Sequence, residues 1–484
     1  MEPTHIDLAP DLRISRVLTG LWQIADLERD GKTLDPKAMA PYMQAYVDKG
    51  FNSFDMADHY GSAEIISGTY KNEFAKTDSI QLLTKWVPEP GKVSKAVIRK
   101  AVEERLTRLQ TEQVDLLQYH AWLYADPAWL DTLFELQELK KEGLIKHLGV
   151  TNFDSAHLRI ALSSGIELLS NQVCYSLLDQ RASGEMRAVC EAYGVKLLAF
   201  GTLAGGFLSK KWLGLEEPRV GEGNTWSQMK YKRFIDQAGD WNQFQSLLSV
   251  LDQIAKKHQV SIANVASKYI MDEPHVAGVI LGARLGQSEH IDNNLQLFSI
   301  QLDKNDKDLI KSQLHGFDSI HGDCGDEYRK PPFLTASGDL SHHVKGFPTP
   351  YPTNTNANGN KIMVSGTYWE DMAGYSRAIR SGNTIKVSGT TATHGDLMIG
   401  GEDLKAQTHF VIDKIEGAII SLGGKLEDID RTRIFVNDVN DWEPIARAHG
   451  ERFKDIQPAN TLVEAKLVGE GYKVEIEAEA TIKE

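Results

Sequence analysis

Eight short apolar runs, separated by stretches with helical spacing, constrain the fold of this 484-residue chain most strongly. The runs are Val17–Ile24, Ser53–Ala57, Ile80–Trp86, Val114–His120, His147–Phe153, Leu168–Ser176, Lys196–Thr202 and Val276–Ala283. They are apolar throughout rather than alternating, which is typical of strands that are covered on both faces. Eight parallel strands that alternate with helices close into a barrel. The sequence therefore predicts an α/β fold with a (β/α)8, or TIM, barrel.

A polar segment rich in turn residues separates this pattern from a second one. The stretch Asn354–Asn360 is almost entirely polar, and prolines precede it closely. We therefore expect a barrel domain with a C-terminal extension at 1–345, a linker at 346–360 and a second domain at 361–484. The second domain follows the order β-β-α-β-α-β-β, with a long helix at Leu404–Leu422. This order predicts a smaller α+β layer with helices on one face of a sheet.

Composition excludes several classes of protein. The formal net charge is −14 and neither domain is basic, so we expect no nucleic-acid partner. No run of 18 apolar residues predicts a membrane span, and the first residues lack the features of a signal peptide. Only three cysteines are present, and His342-His343 and Cys324 lack the spacing of metal ligands. We therefore expect a cytoplasmic protein without a metal site.

Four chemically complementary side chains follow three consecutive predicted strands. They are Asp55 in the second run, Tyr60 just after it, Lys85 near the end of the third run and His120 at the end of the fourth. Catalytic groups of such barrels collect at the carboxyl ends of the strands. A phenol with a pKa of about 10 becomes a better proton donor beside an ammonium group, which a carboxylate can hold charged and aligned. These residues are the predicted catalytic group.

On these residues, positions 5–315 resemble the aldo-keto reductase superfamily. The resemblance implies hydride transfer between a nicotinamide cofactor and a carbonyl compound, an aldehyde or ketone that includes sugar-derived candidates, with the alcohol as its partner. In this interpretation Tyr60 exchanges the proton as general acid/base, while Lys85 and Asp55 tune it. His120 orients or polarises the carbonyl. The sequence leaves open which carbonyl or alcohol is the substrate and which direction of reaction is physiological.

The same resemblance assigns residues to the cofactor. Thr151, Asn152 and Gln172 match the polar residues that hold the nicotinamide carboxamide, and Phe200 matches the ring that stacks on the nicotinamide. Arg284 has the geometry to bind a 2′-phosphate, which favours NADP(H), with NAD(H) as the alternative. Ser288 is the expected N-cap of a phosphate-facing helix. The remaining cofactor candidates are Trp22, Lys211, Gly282, His290, Asn293 and Asn294, and Trp86 and Trp122 are candidates for either a substrate wall or the core.

Residues 361–484 resemble the Rid family, which has a chorismate-mutase-like fold and is usually trimeric. Matching stretches include Gly374–Ala378, Val387–Gly389 and Val474–Ala478. Members that hydrolyse imines carry an Arg after Pro-Ala, but here Asn460 follows Ala459. A neutral amide cannot supply a bidentate, charge-assisted grip on a carboxylate, so this domain resembles the Arg-lacking branch. The resemblance implies a homotrimer formed through this domain.

Three hypotheses for the function of the whole chain follow. The first is a carbonyl reductase or alcohol dehydrogenase whose Rid-like domain serves oligomerisation or ligand binding. In that domain Tyr375, Asn460 and Glu477 are candidates for a cleft. The second is a slow-turnover, redox-sensing or regulatory binding subunit. The third is a bifunctional enzyme whose Rid-like domain acts on a reactive metabolite.

Overall fold

Strands and helices alternate through the first three hundred residues. The computed structural model describes residues 4–76, 80–221, 223–287, 290–346 and 348–483. The strands are β1 (His5–Ala9), β2 (Leu12–Ser15), β3 (Val17–Gly20), β4 (Ser53–Asp55), β5 (Gln81–Trp86), β6 (Val114–Tyr119), β7 (Ile145–Thr151), β8 (Ser170–Cys174), β9 (Lys196–Phe200), β10 (Val276–Gly282), β11 (Thr353–Thr355), β12 (Lys361–Met363), β13 (Ala378–Ser381), β14 (Thr384–Thr391), β15 (Thr393–His394), β16 (Leu397–Met398), β17 (Ile429–Val436), β18 (Ala459–Glu464) and β19 (Val474–Thr481).

The helices lie mostly between these strands. They are α1 (Trp22–Leu27), α2 (Pro36–Met39), α3 (Gln44–Val47), α4 (Ala63–Thr69), α5 (Lys95–Leu109), α6 (Ala128–Lys141), α7 (Ser155–Ser163), α8 (Glu185–Tyr193), α9 (Trp226–Ala238), α10 (Trp241–His258), α11 (Ile262–Met271), α12 (Ile291–Leu295), α13 (Lys304–Leu314), α14 (Asp326–Arg329), α15 (Leu340–His343), α16 (Tyr368–Ala373), α17 (Leu404–Ser421) and α18 (Trp442–Phe453). In the described ranges no helix is both long and apolar enough to cross a membrane.

The predicted barrel is confirmed. Strands β3 to β10 pair in parallel and close in the order β10-β3-β4-β5-β6-β7-β8-β9. The hairpin β1–β2 closes one end, because Leu12 and Ile14 pack with barrel residues such as Leu18 and Leu116 in one apolar cluster. The first apolar run was predicted too long. Its strand ends at Gly20 and α1 begins at Trp22, so Trp22 is a helical residue rather than a strand end.

The second domain is a seven-stranded sheet in the order β11-β12-β13-β14-β19-β17-β18. Its main helices are α17, most of whose apolar residues are buried, and α18. Along β19 buried and half-buried residues alternate, as the sequence pattern predicted. The sheet begins inside the segment that was expected to be a linker, because β11 pairs with β12.

The two domains pack directly on each other through α7 of the barrel and α17 of the sheet domain. Arg159 donates to Asp403 at 2.8 Å, and His157 bonds to Asp413 at 2.9 Å. A Cβ added at Gly417 would lie 2.3 Å from the carbonyl oxygen of Ala125, so a side chain at this position would clash with backbone. No pattern in the sequence indicated this interface.

Candidate active site

The four predicted catalytic residues lie at the carboxyl ends of neighbouring barrel strands. Asp55 ends β4, Lys85 lies in β5, and His120 directly follows β6. Lys85 Nζ donates to the two oxygens of Asp55 at 2.8 and 2.7 Å, and both side chains are buried. The same Nζ lies 4.9 Å from the ring centroid of Tyr60. The structure therefore brings acid, ammonium and phenol into one cluster.

The electrostatics of Tyr60 differ from the expectation of an acidified phenol. Burial, and then the charge of Asp55, raise the pKa of Tyr60 well above its ordinary value. Burial disfavours the charged phenolate, and the negative charges of Asp55, Tyr328 and Asp58 disfavour it further. Burial also lowers the pKa of Lys85, although Asp55 opposes this effect. Tyr60 is consequently protonated at neutral pH.

His120 has an unsatisfied ring nitrogen. Burial, and then the charge of Arg329, lower its pKa well below the ordinary value, so the imidazole is neutral. Its Nδ1 lies 3.4 Å from the carbonyl oxygen of Thr151. Its Nε2 is buried and has no hydrogen-bond partner among the described residues. Because buried polar atoms are normally paired, this nitrogen is available to an oxygen of a ligand.

The three predicted carboxamide ligands differ in how they are occupied. Asn152 has a left-handed backbone (φ 59°), and its Oδ1 is buried without a partner in the described chain. Gln172 Nε2 donates to Asp55 at 2.7 Å and to Gln118 at 3.0 Å. Thr151 Oγ1 donates to the carbonyl oxygen of Gln172 at 3.1 Å. Asn152 thus offers a free acceptor for an amide N–H, while Gln172 extends the polar cluster under the catalytic pair.

Two residues that sequence reasoning missed lie beside this cluster. Lys230 on α9 donates to the hydroxyl of Tyr328 at 2.7 Å, and its Nζ lies 5.0 Å from the ring centroid of Phe200. The ring of Tyr328 lies 6.1 Å from that of His120. Tyr328 belongs to the C-terminal extension, and no motif in that extension could have identified it. Gln118, in contrast, is a polar residue near the carboxyl end of β6, and that position could have identified it as a candidate.

The predicted adenosine side is only partly described. Arg284 lies just past β10, where it donates to Gln23 at 3.1 Å and to Asp26 at 3.1 Å. Helix α12 begins at Ile291 with His290 at its N-cap position, and Ser288, the expected cap, lies outside the described residues. The other candidates are Gly282 at the end of β10, Asn293 and Asn294 on α12, and Lys211, which is exposed with its Nζ 5.2 Å from the ring of Trp212.

The candidate tryptophans take different positions. The ring of Trp22 lies 5.0 Å from that of Tyr60 and 5.5 Å from that of Trp226, so it joins the site to α9. Trp122 lies 4.4 Å from the ring of His120, and its indole donates to the carbonyl oxygen of Pro88. Trp86 is buried in the core between barrel and helices. Trp22 and Trp122 therefore lie beside the predicted catalytic residues Tyr60 and His120, whereas Trp86 packs in the core.

The three cleft candidates of the second domain do not meet within one chain. Asn460 donates to Thr432 at 2.9 Å, and Glu477 pairs with Arg433. Since Thr432 and Arg433 are consecutive in β17, their partners lie on opposite faces of the sheet. The hydroxyl of Tyr375 accepts from Arg377 at 2.9 Å. A groove of about 530 Å³, whose lining includes Trp442, His449 and Asn460, lies between α18 and β18.

With this geometry in place, comparison with known proteins identifies both parts of the chain. Residues 16–314 match the sequence model "Aldo/keto reductase family", and residues 368–482 match "Endoribonuclease L-PSP". The chain therefore belongs to the aldo/keto reductase family and carries a Rid-family domain at its C-terminal side. Both resemblances predicted from the sequence are confirmed.

Individual relatives are more distant. Protein tas of Escherichia coli K12 is 29% identical over 226 residues, which are 42% of this chain and only 63% of tas. Uncharacterized protein SCO2049 of Streptomyces coelicolor is 33% identical over 119 residues, 24% of this chain and 89% of that protein. The structure of glycerol dehydrogenase AKR11B4 from Gluconobacter oxydans aligns with a TM-score of 0.55 at 24% identity, over 67% of this chain and 98% of that one. At that identity it supports the barrel fold alone.

Proposed function

We propose that this chain is an NADP(H)-dependent oxidoreductase that interconverts an aldehyde or ketone and the corresponding alcohol. Its family supports the coarser statement, a carbonyl/alcohol oxidoreductase. The observation that carries the finer proposal is the buried Lys85–Asp55 pair directly beside the ring of Tyr60. Catalytic groups of such barrels lie at the carboxyl ends of the strands, and a buried ion pair beside a phenol is an arrangement that proton transfer at this position uses.

The residues take the following roles. When bound, a reduced nicotinamide supplies the hydride for the carbonyl carbon. Tyr60 donates the proton to the carbonyl oxygen, and its raised pKa keeps it in the protonated form that donation requires. Lys85 steadies the negative charge that develops on the phenol, and Asp55 holds Lys85 in place. His120 is neutral, and with its hydrogen on Nδ1, which faces the carbonyl oxygen of Thr151, its free Nε2 orients the substrate oxygen by accepting from the hydroxyl of the alcohol form.

The residues around this point fit a nicotinamide amide. Asn152 Oδ1 is a buried acceptor without a partner in the described chain, which suits a carboxamide N–H. On the adenosine side, Arg284 supports a 2′-phosphate, although the carboxylate of Asp26 already contacts it. We therefore expect a preference for NADP(H) over NAD(H) that increases when Asp26 is replaced by Asn, because the phosphate then no longer competes with a carboxylate.

An absorbance assay of cofactor consumption tests this proposal. The full chain is mixed with NADPH or NADH and a set of aldehydes, ketones and sugars. Consumption that needs a carbonyl compound and is faster with NADPH supports the proposal. Absence of consumption with every carbonyl, in a protein that is folded by circular dichroism, contradicts it.

For the second domain we propose assembly of a homotrimer. The sheet face away from α17 carries the Arg433–Glu477 pair and half-buried Phe435, and β18 is an unpaired edge. An exposed edge strand is normally covered by another chain or protected. Light scattering should give three times the chain mass of 53.9 kDa, and Phe435→Glu should give a single chain. A monomer for the unaltered protein would refute the assembly.

A further inference from the structure

A buried histidine joins the second domain to the loop that is predicted to bind nicotinamide. We propose that the Rid-family domain holds this loop in its binding conformation, with His157 and Asp413 as positioning residues for the cofactor. The inference rests on the proposed function, because it concerns affinity for the same nicotinamide. Neither family by itself provides this contact, since one residue comes from each domain.

The first step is the bridge itself. His157 Nε2 lies 2.9 Å from Asp413 Oδ2, and His157 Nδ1 lies 2.6 Å from Asp154 Oδ1. All three side chains are buried. Because each ring nitrogen faces a carboxylate, both carry hydrogens and the ring is a cation between two anions. These two carboxylates raise the pKa of His157 to about 9, against the effect of burial.

The second step leads from Asp154 to the loop. Asp154 is the N-cap of α7, where its Oδ1 accepts from the backbone N–H of His157 at 2.8 Å. Asn152, two residues earlier, has a left-handed backbone (φ 59°), a conformation that asparagine adopts more readily than most residues other than glycine. Because Asp154 is only two residues from Asn152, an anchored cap fixes the end of the loop at which Asn152 lies.

A second set of contacts connects His157 to Asn152 through Tyr124 and Arg329. The ring of His157 stacks on that of Tyr124 with centroids 3.5 Å apart, and the guanidinium carbon of Arg329 lies 4.7 Å from the centroid of the same Tyr124 ring. Arg329 donates to the carbonyl oxygen of Asn152 at 2.6 Å. Within the second domain Arg452 donates to Asp413 and to Glu416. The charged and titratable groups around His157 are thus Asp154, Asp413, Glu416, Arg452, Tyr124 and Arg329.

The test uses a substitution in one domain and a measurement in the other. Asp413→Asn removes the negative charge that the second domain places beside His157, and it changes no residue of the barrel. We expect the Kd for NADPH, from fluorescence titration of the full chain at neutral pH, to rise about fivefold, at the lower end of typical coupling between sites. The matched control is His394→Gln, which breaks another contact across this interface, to Asp131 at 2.6 Å, that does not reach Asn152. Its Kd should stay within about twofold of the unaltered value.

The pH dependence supplies a readout that loss of packing alone would not move. His157 binds its proton more tightly in the folded protein, so its contribution is complete below about pH 6.5 and is lost as pH rises through about 9. The Kd of the unaltered chain should therefore rise in that window, and in Asp413→Asn the rise should move to lower pH. A Kd that is flat with pH overturns the inference, and this result holds even if Asp413→Asn fails to fold.

The outcomes separate the two proposals. If the unaltered chain binds neither NADPH nor NADH, the proposed function fails and the inference fails with it. If the chain binds NADPH but Asp413→Asn and His394→Gln change the Kd equally, the inference alone is overturned. A selective effect of Asp413→Asn supports it.

Discussion

The barrel and the sheet domain bring their candidate residues together in different ways. In the barrel, residues 30 and more positions apart in the sequence come together. This happens because parallel strands end at one rim, where side chains at the ends of adjacent strands are neighbours. In the sheet domain, Asn460 and Glu477 are two strands apart but lie on opposite faces. The composition of a site at a barrel rim is therefore determined by which residues lie at the ends of the strands. A site on a sheet face is set by the register, which changes face with each single residue.

The two domains also differ in whether a single chain is sufficient to form the predicted site. The predicted catalytic cluster of the barrel forms within a single chain, where Lys85 donates to Asp55 and lies 4.9 Å from the ring centroid of Tyr60. The Rid-family candidates are each paired within the chain, and together they form no common cleft. We therefore expect the oxidoreductase activity to depend on the barrel residues and to be insensitive to the sheet-domain candidates.

The largest predicted effect breaks the ion pair of the barrel. Lys85→Met should lower kcat/KM for carbonyl reduction by about 10²–10⁴-fold, because the phenolate that forms loses its cation. It should also lower Tm, since Asp55 is left as a buried, unpaired charge. The double variant Asp55→Asn/Lys85→Met should recover Tm but not activity. The matched sheet-domain variant, Asn460→Ala, should leave kcat/KM unchanged, and a comparable loss there would contradict the division of labour.

The next effect concerns stability against pH at the domain interface. The pKa of His157 is raised to about 9 by Asp154 and Asp413, so the folded state binds its proton more tightly than the unfolded chain. The associated stability is present below about pH 6.5 and is lost as pH rises through about 9. Urea unfolding should show a loss on the order of 2–3 kcal/mol between these limits. In His157→Gln this loss should vanish, and a persisting loss of the same size would assign it to other groups.

The smallest effect compares two helical glycines. Gly417 on α17 faces the backbone of Ala125 across the interface, whereas a Cβ at Gly450 on α18 meets nothing within 4 Å. Gly417→Ala should destabilise by about 1–3 kcal/mol, because backbone cannot yield as a side chain can. Gly450→Ala should stabilise by up to about 1 kcal/mol through helix propensity. Urea titrations of both variants measure the pair, and equal shifts would show that the two domains do not pack at Gly417.

The sequence was sufficient for elements whose signal is local or repetitive. All eight barrel strands follow from apolar runs, and the clustering of Asp55, Tyr60 and Lys85 follows from their places at or near strand ends. The direction of the pKa shift of Tyr60 was not predictable, because it depends on how deeply the folded chain buries the phenol and on the charge of Asp55 beside it. The pairing of β11 with the sheet was not predictable either, since Thr353–Thr355 is polar and short. Tyr328 and the bridge at His157 depend on tertiary contacts with residues far along the chain.

One measurement tests the role of Tyr60 most directly. In a single-turnover experiment, enzyme with bound NADPH is mixed with an aldehyde and the loss of cofactor absorbance is followed for the unaltered chain, Tyr60→Phe and the control Tyr328→Phe. We predict that Tyr60→Phe slows the reaction by about 10²–10⁴-fold and leaves the Kd for NADPH within about twofold, because the phenol donates the proton. Tyr328→Phe should slow it no more than about tenfold. A rate for Tyr60→Phe equal to that of the unaltered chain would contradict the assignment of the proton donor.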